Sequence, residues 1–168
     1  MRSVPLMVAA LAIATTGLVF GTQAAAAEES GGFRLLMSVV NDYTTIDHAG
    51  AKVTGGSSTG TSTVLQSSGG AFAEGAPNLM ACVVYATVSE ADTDIRAACT
   101  FTDASGDNWY AQAKRSTGQI EAGSSGAGRW ELLGGTGKYA GLSGDCPYDV
   151  QNLPHDRLVL TADCTWQK

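Results

Sequence analysis

The sequence predicts an all-β fold, an eight-stranded antiparallel β-barrel, and three observations carry that expectation. After residue 28 no stretch of ten or more residues keeps a 3.6-residue apolar period without an interrupting glycine or proline. Eight short runs rich in Val, Leu, Tyr, Thr and Trp lie between turn clusters. The four cysteines stand where two antiparallel hairpins would pair them. Closing the strands into a barrel removes the exposed edges that invite aggregation. An open sandwich of the same strands is the alternative.

The chain opens with Arg2, an apolar run from Val4 to Phe20, and small residues leading to Ala25-Ala26-Ala27. A basic start, an apolar centre and an A-x-A site predict a secretory signal peptide over residues 1–27. The run falls short of the roughly 20 residues that span a bilayer, and no basic cluster follows it. Residues 28–168 then form one β-barrel domain, secreted or periplasmic. Arg2 is the single charged residue of the first 27, so the remaining 9 basic and 16 acidic residues leave a net charge of −7. Dispersed acidity argues against nucleic acid or an anionic membrane surface as a partner.

The strands read as follows. Phe33–Asp47 is a long, bent first strand, with Leu35, Met37, Val39, Asn41 and Tyr43 on one face. Ser58–Ser67 is the second. Leu79–Val88 and Asp94–Thr102 are the third and fourth. Asn108–Ser116 is the fifth, turning Trp109, Ala111 and Ala113 inward. Ala127–Leu133 is the sixth, turning Trp130 and Leu132 inward. Leu142–Gln151 and Arg157–Trp166 are the last two.

The cysteines set two registers. Pairing Cys82 with Cys99 centres a turn on Glu90-Ala91 and pairs Val84 with Ala97 and Ala86 with Ile95. One face is then Cys82, Val84, Ala86, Val88, Ile95, Ala97, Cys99 and Phe101, all apolar, while Tyr85, Thr87, Arg96 and Thr100 face outward. Pairing Cys146 with Cys164 puts a turn at His155 and sets Tyr148 against Ala162 and Val150 against Leu160. Four cysteines allow three connectivities, and the two registers favour Cys82–Cys99 and Cys146–Cys164. No C-x-x-C pair is present, and His48 and His155 lie outside the cysteine spacing, so no metal site is read.

Other motifs fail on context. Gly135 to Ala140 fits G-x-G-x-x-[GA], but Gly141, Gly144 and Pro147 break the helix such a phosphate site needs. Leu132 and Tyr139 stand where a Walker loop needs Gly and Ser or Thr. Asp103, Ser105 and Asp107 resemble the start of a calcium loop, yet Asn108 and Lys114 occupy its Gly and Glu positions. His48 beside Asp47 and His155 beside Asp156 sit in turns and read as loop polars. In "GGTGKYAGLSG" (134–144) the glycines read as permission for tight backbone, with Tyr139 packing over the barrel end and Lys138 pointing to water.

That segment carries a resemblance. Gly134, Gly135, Thr136, Gly137, Lys138, Tyr139, Gly141, Leu142 and Gly144 resemble the turn signature of small bacterial barrels of the allene oxide cyclase-like family, related in fold to plant dirigent proteins. "CTFTDASGDNWYAQ" (99–112) and "GTSTVLQSSGGAFAEG" (60–75) are similar to other parts of those proteins. The resemblance implies an eight-stranded, calycin-like antiparallel barrel. No catalytic residue of the family maps onto this chain.

An apolar barrel interior with a few polar groups at one end is the usual form of a small-ligand site. The sequence therefore predicts a binder of a small apolar ligand, with Asn41, Tyr43 and Tyr148 as candidate contacts. A cyclase or isomerase acting inside the barrel and a protein-interaction module are the alternatives. None of the three implies a cofactor.

Overall fold

The computed structural model describes residues 29–168; the signal peptide expected over residues 1–27 lies outside the described residues. Eight strands follow one another: β1 (Ser30–His48), β2 (Ala51–Ser67), β3 (Pro77–Val88), β4 (Thr93–Asp103), β5 (Asn108–Arg115), β6 (Ser125–Gly135), β7 (Ser143–Leu153) and β8 (Arg157–Gln167). Each pairs antiparallel with the next, and β8 pairs with β1, so the sheet closes into a barrel. The sandwich alternative is excluded.

Both cysteine hairpins form in the expected registers. Cys82 stands opposite Cys99, Val84 opposite Ala97 and Ala86 opposite Ile95. Tyr148 stands opposite Ala162 and Val150 opposite Leu160. Cys82–Cys99 and Cys146–Cys164 are both disulfide-bonded. They close loops of 17 and 18 residues, and each such loop stabilises the fold by about 3 kcal/mol through the lost freedom of the unfolded chain.

The second strand begins seven residues earlier than the sequence indicates. β1 and β2 pair from Phe33↔Ser67 to His48↔Ala51, around a turn at Ala49-Gly50 where φ is 49° and 82°. Residues 55–57, just before the expected start at Ser58, are Gly-Gly-Ser and have low strand propensity. They are held in the ladder by pairing on both sides, with β1 and with β3.

The barrel interior has two different ends. At one, aromatic rings fill the space: Trp109 stacks on Phe101 (3.6 Å between centroids, 3° between planes), and Phe33 stacks on Phe72 at 3.8 Å. Phe72 comes from the β2–β3 connection, outside the strands, and contacts the rings of Trp109, Tyr139 and Trp166. This end is a plug.

The Gly-rich segment builds the rim of that plug. Gly134, at φ 83°, lies at a register shift just before the end of β6, and a single 3₁₀ turn over Gly137–Tyr139 then drives Tyr139 inward until it is 2 % exposed. Its hydroxyl donates to Asp103 Oδ2 at 3.1 Å. Lys138 does not simply point to water: its Nζ lies 2.6 Å from the same oxygen. The other oxygen, Asp103 Oδ1, accepts from Ser105 N, Ser105 Oγ and Asp107 N at 2.8, 2.6 and 3.1 Å. The calcium-like spacing of Asp103, Ser105 and Asp107 is thus an Asp-anchored turn, tied through Lys138 and Tyr139 to the neighbouring β6–β7 connection.

Candidate functional site

The other end of the barrel is not filled. A cavity of about 90 Å³ lies between Met37, Val39, Met80, Val84, Ile95, Val150 and Leu160, and is bordered by Tyr43, Thr54, Ser58, Arg115, Tyr148 and Asn152. Its position follows from strand chemistry. β1, β3, β5 and β7 run from the plug towards this end, and their inward residues shorten or become polar as they arrive. On β5 the inward series Trp109, Ala111, Ala113 ends on Arg115; on β1 the series Leu35, Met37, Val39 ends on Asn41 and Tyr43.

The candidate residues divide. Tyr43 and Tyr148 border the cavity, whereas Asn41 does not. Asn41 Oδ1 accepts from Ser58 Oγ at 2.8 Å, and Ser58 Oγ is 2.7 Å from Tyr43 Oη. Asn41 therefore positions Tyr43 through Ser58. Burial raises the Tyr43 hydroxyl above its ordinary value, against the lowering effects of the Ser58 hydrogen bond and Arg115. Burial likewise raises Tyr148, against the pull of Arg115. Both stay protonated and neutral at ordinary pH; the Tyr43 hydrogen goes to Ser58 Oγ, whose own hydrogen goes to Asn41, so Tyr148 is the phenol left to donate.

Arg115 was not among the sequence candidates, and it is the most unusual group at this end. It is only 5 % exposed. One nitrogen, Nη2, donates to the Gln119 carbonyl at 3.1 Å, while Nε is buried without a partner. Burial depresses its basicity, and Tyr148 and Tyr43 partly oppose that. A guanidinium nevertheless remains a cation in proteins. The signal that could have found it is its parity: it is a cation that continues the inward series Trp109, Ala111 and Ala113.

Residues 116–124 cross over this end. The Gln119 carbonyl accepts from Arg115 and from Asn152 Nδ2 at 3.0 Å, Ser124 Oγ donates to the nearer Glu121 carbonyl at 2.6 Å, and Ile120 packs against the core. Tyr43, Ile120 and Leu158 are half-buried, so the cavity meets solvent between them.

A broader depression of about 930 Å³ lies on the outer wall, between Tyr85, Arg96, Lys114 and Arg129. It is the larger volume but the weaker site. Its cations are solvated or paired, Arg96 with Asp94 at 3.0 Å and Arg129 with Asp145 at 2.7 Å. Nothing in it is buried and left wanting a partner, as Arg115 is in the interior.

The cavity can bind more readily than it can catalyse. Its lining holds no carboxylate, histidine or free thiol; Cys82 and Cys99 border it as a disulfide. Among the described residues no cluster of His, Cys, Asp and Glu could hold a metal ion. The chain matches no family model, and no curated protein matches it.

Proposed function

We propose that this is an exported barrel that binds a small, largely apolar molecule at the open end of its interior. One observation carries the reading: an eight-stranded barrel that is packed with aromatics at one end keeps an unfilled apolar cavity with buried polar groups at the other. Protein interiors otherwise pack to crystal-like density. Two disulfides support an oxidising compartment, as does the signal-like start of the chain. The "GGTGKYAGLSG" turn, here built into the plug rim, supports placing the chain among allene oxide cyclase-like barrels. The lining favours binding over cyclase chemistry, since Tyr43 and Tyr148 are its only titratable donors besides Arg115.

Native mass spectrometry of the protein purified from its own source, without organic solvent, tests this. The expected spectrum shows a fraction of the protein carrying one small-molecule adduct that is lost on denaturation. An adduct-free spectrum that stays adduct-free after incubation with a source extract would contradict the reading.

A further inference from the structure

We infer that the open end of the barrel is built for a small apolar carboxylate whose anionic head is taken by Arg115. The inference deepens the interior-binding reading and rests on it.

Arg115 is placed where a cation has to be accounted for. A guanidinium carries five donor hydrogens in a planar fork. Here one nitrogen has a protein acceptor, at 3.1 Å, and Nε is buried with none. No ion pair to Arg115 exists among the described residues, and none of the residues bordering the cavity is acidic. The chain is not short of acids: it holds 16 of them for 10 basic residues. The counter-charge is missing at the one buried arginine among the described residues of an acidic protein. An orphaned buried cation is destabilising, and groups of that kind persist at sites whose partner is a ligand.

Pinning the loop accounts for one nitrogen and not for the charge. The Gln119 carbonyl is filled by Nη2 and by Asn152 Nδ2, at 3.1 and 3.0 Å, since the single Ser124 hydroxyl hydrogen has the nearer Glu121 carbonyl at 2.6 Å; that one neutral acceptor leaves Nε and the counter-charge unmet. The facing strand is also cut to fit. A Cβ at Gly126 would come within 2.8 Å of Arg115 Nη1, and a Cβ at Gly128 would collide with the Tyr148 ring and hydroxyl. Two bare positions on β6 therefore seat the guanidinium and the phenol at the same end.

The ligand's chemistry follows from the walls. The head must be an anion that accepts from a fork of N–H donors, with the neutral Tyr148 hydroxyl on the same cavity wall. A carboxylate matches that fork with two oxygens and a single charge. A phosphate dianion would bring a second charge with no second cation on the cavity wall to meet it. The body must be apolar, to lie against Met37, Val84, Ile95, Val150 and Leu160. A cavity of about 90 Å³ is smaller than the ~150 Å³ that admits benzene, so the body is a short chain of a few carbons.

Isothermal titration at two temperatures, on the chain from residue 28, compares isovalerate, its uncharged amide and inorganic phosphate. The expected result is isovalerate binding at least tenfold more tightly than the amide, with phosphate weaker than isovalerate. Arg115→Met should bring acid and amide to equal affinity without lowering Tm, because it keeps the apolar stem and removes the orphaned charge. Arg115→Lys should retain part of the preference for the acid. Equal affinity of acid and amide for the native protein overturns the role of Arg115 and leaves interior binding standing. Phosphate binding more tightly than isovalerate overturns the carboxylate assignment. Binding of neither acid nor amide overturns both readings. If Arg115→Met unfolds, Arg115 is a structural residue and the inference fails, whatever the native protein binds.

Discussion

Trp109→Ala is expected to lower the stability of the barrel by about 3–5 kcal/mol, the range for truncating a buried large aromatic. Trp109 is 1 % exposed and stacks flat on Phe101, itself fully buried. Its ring meets the edges of Phe33 and Phe72 at 6.3 and 5.7 Å, so one truncation loosens three neighbouring rings. Its Nε1 also donates to Asn78 Oδ1 at 3.4 Å, and Asn78 is buried, so the variant leaves a polar group short of a partner. A domain of this kind has about 5–15 kcal/mol in all, so the variant should be close to half unfolded under mild denaturant. Urea unfolding followed by tryptophan fluorescence or circular dichroism measures it. A loss under about 1 kcal/mol would mean that the plug is not a packed core.

The second large effect concerns Asp103, and it depends on pH. The Asp103 carboxyl is buried, which alone would raise its pKa. Hydrogen bonds from Lys138, Ser105 and Tyr139 outweigh burial and hold it well below the ordinary carboxylate range. The same contact raises Tyr139, whose burial acts in the same direction. A folded pKa below the unfolded value of about 3.9 means that the stabilisation is fully present above pH ~4. It is lost as pH falls from there through the folded value. Asp103→Asn should therefore cost about 2 kcal/mol at pH 7, the scale of a lost set of charge-assisted hydrogen bonds. It should cost progressively less as the pH is taken down towards 2, because the carboxyl of the unfolded chain takes up a proton there while the folded one stays ionised. Urea midpoints of both proteins at pH 7 and pH 3 check this. Parallel curves, with the same gap at both pH values, would show that the Asp103 charge contributes nothing.

The hairpins were the most legible part of the sequence. Alternation along Cys82–Val88 and Ile95–Phe101 fixes a face, a cysteine on each strand fixes the register, and the structure pairs the residues as the index arithmetic requires. The start of β2 was hidden because Gly55, Gly56 and Ser57 have no side chains that favour a strand; pairing to two neighbours holds them, and pairing partners are not local information. Phe72 was hidden for a related reason. It lies in a connection rich in Gly and Ala, and its inward turn is set by the aromatic rings it meets from β1, β5 and β8. Lys138 looked solvated because the acid that holds it is 35 positions away in the sequence.

At the candidate site the tyrosines were legible by parity, since Tyr43 and Tyr148 continue inward-facing series. Asn41 shares that parity, but its side chain is satisfied by Ser58 before it reaches the cavity. Arg115 also lies on the inward parity of β5. Charged residues on a strand are ordinarily placed outside, so that parity, the one local signal for Arg115, runs against the ordinary expectation.

The account stands on one spatial claim, that the ligand space lies inside the barrel at the end away from the plug. Methyl-resolved NMR under increasing xenon pressure tests it directly, because xenon enters unfilled apolar cavities. Saturable shifts are expected at Met37, Val84, Val150 and Leu160, which line the cavity, with Leu35, Val64 and Leu132 in the packed part of the barrel unchanged. Shifts confined to the exposed Leu79, Val83 and Leu133, or no saturable shift at any interior methyl, would contradict it.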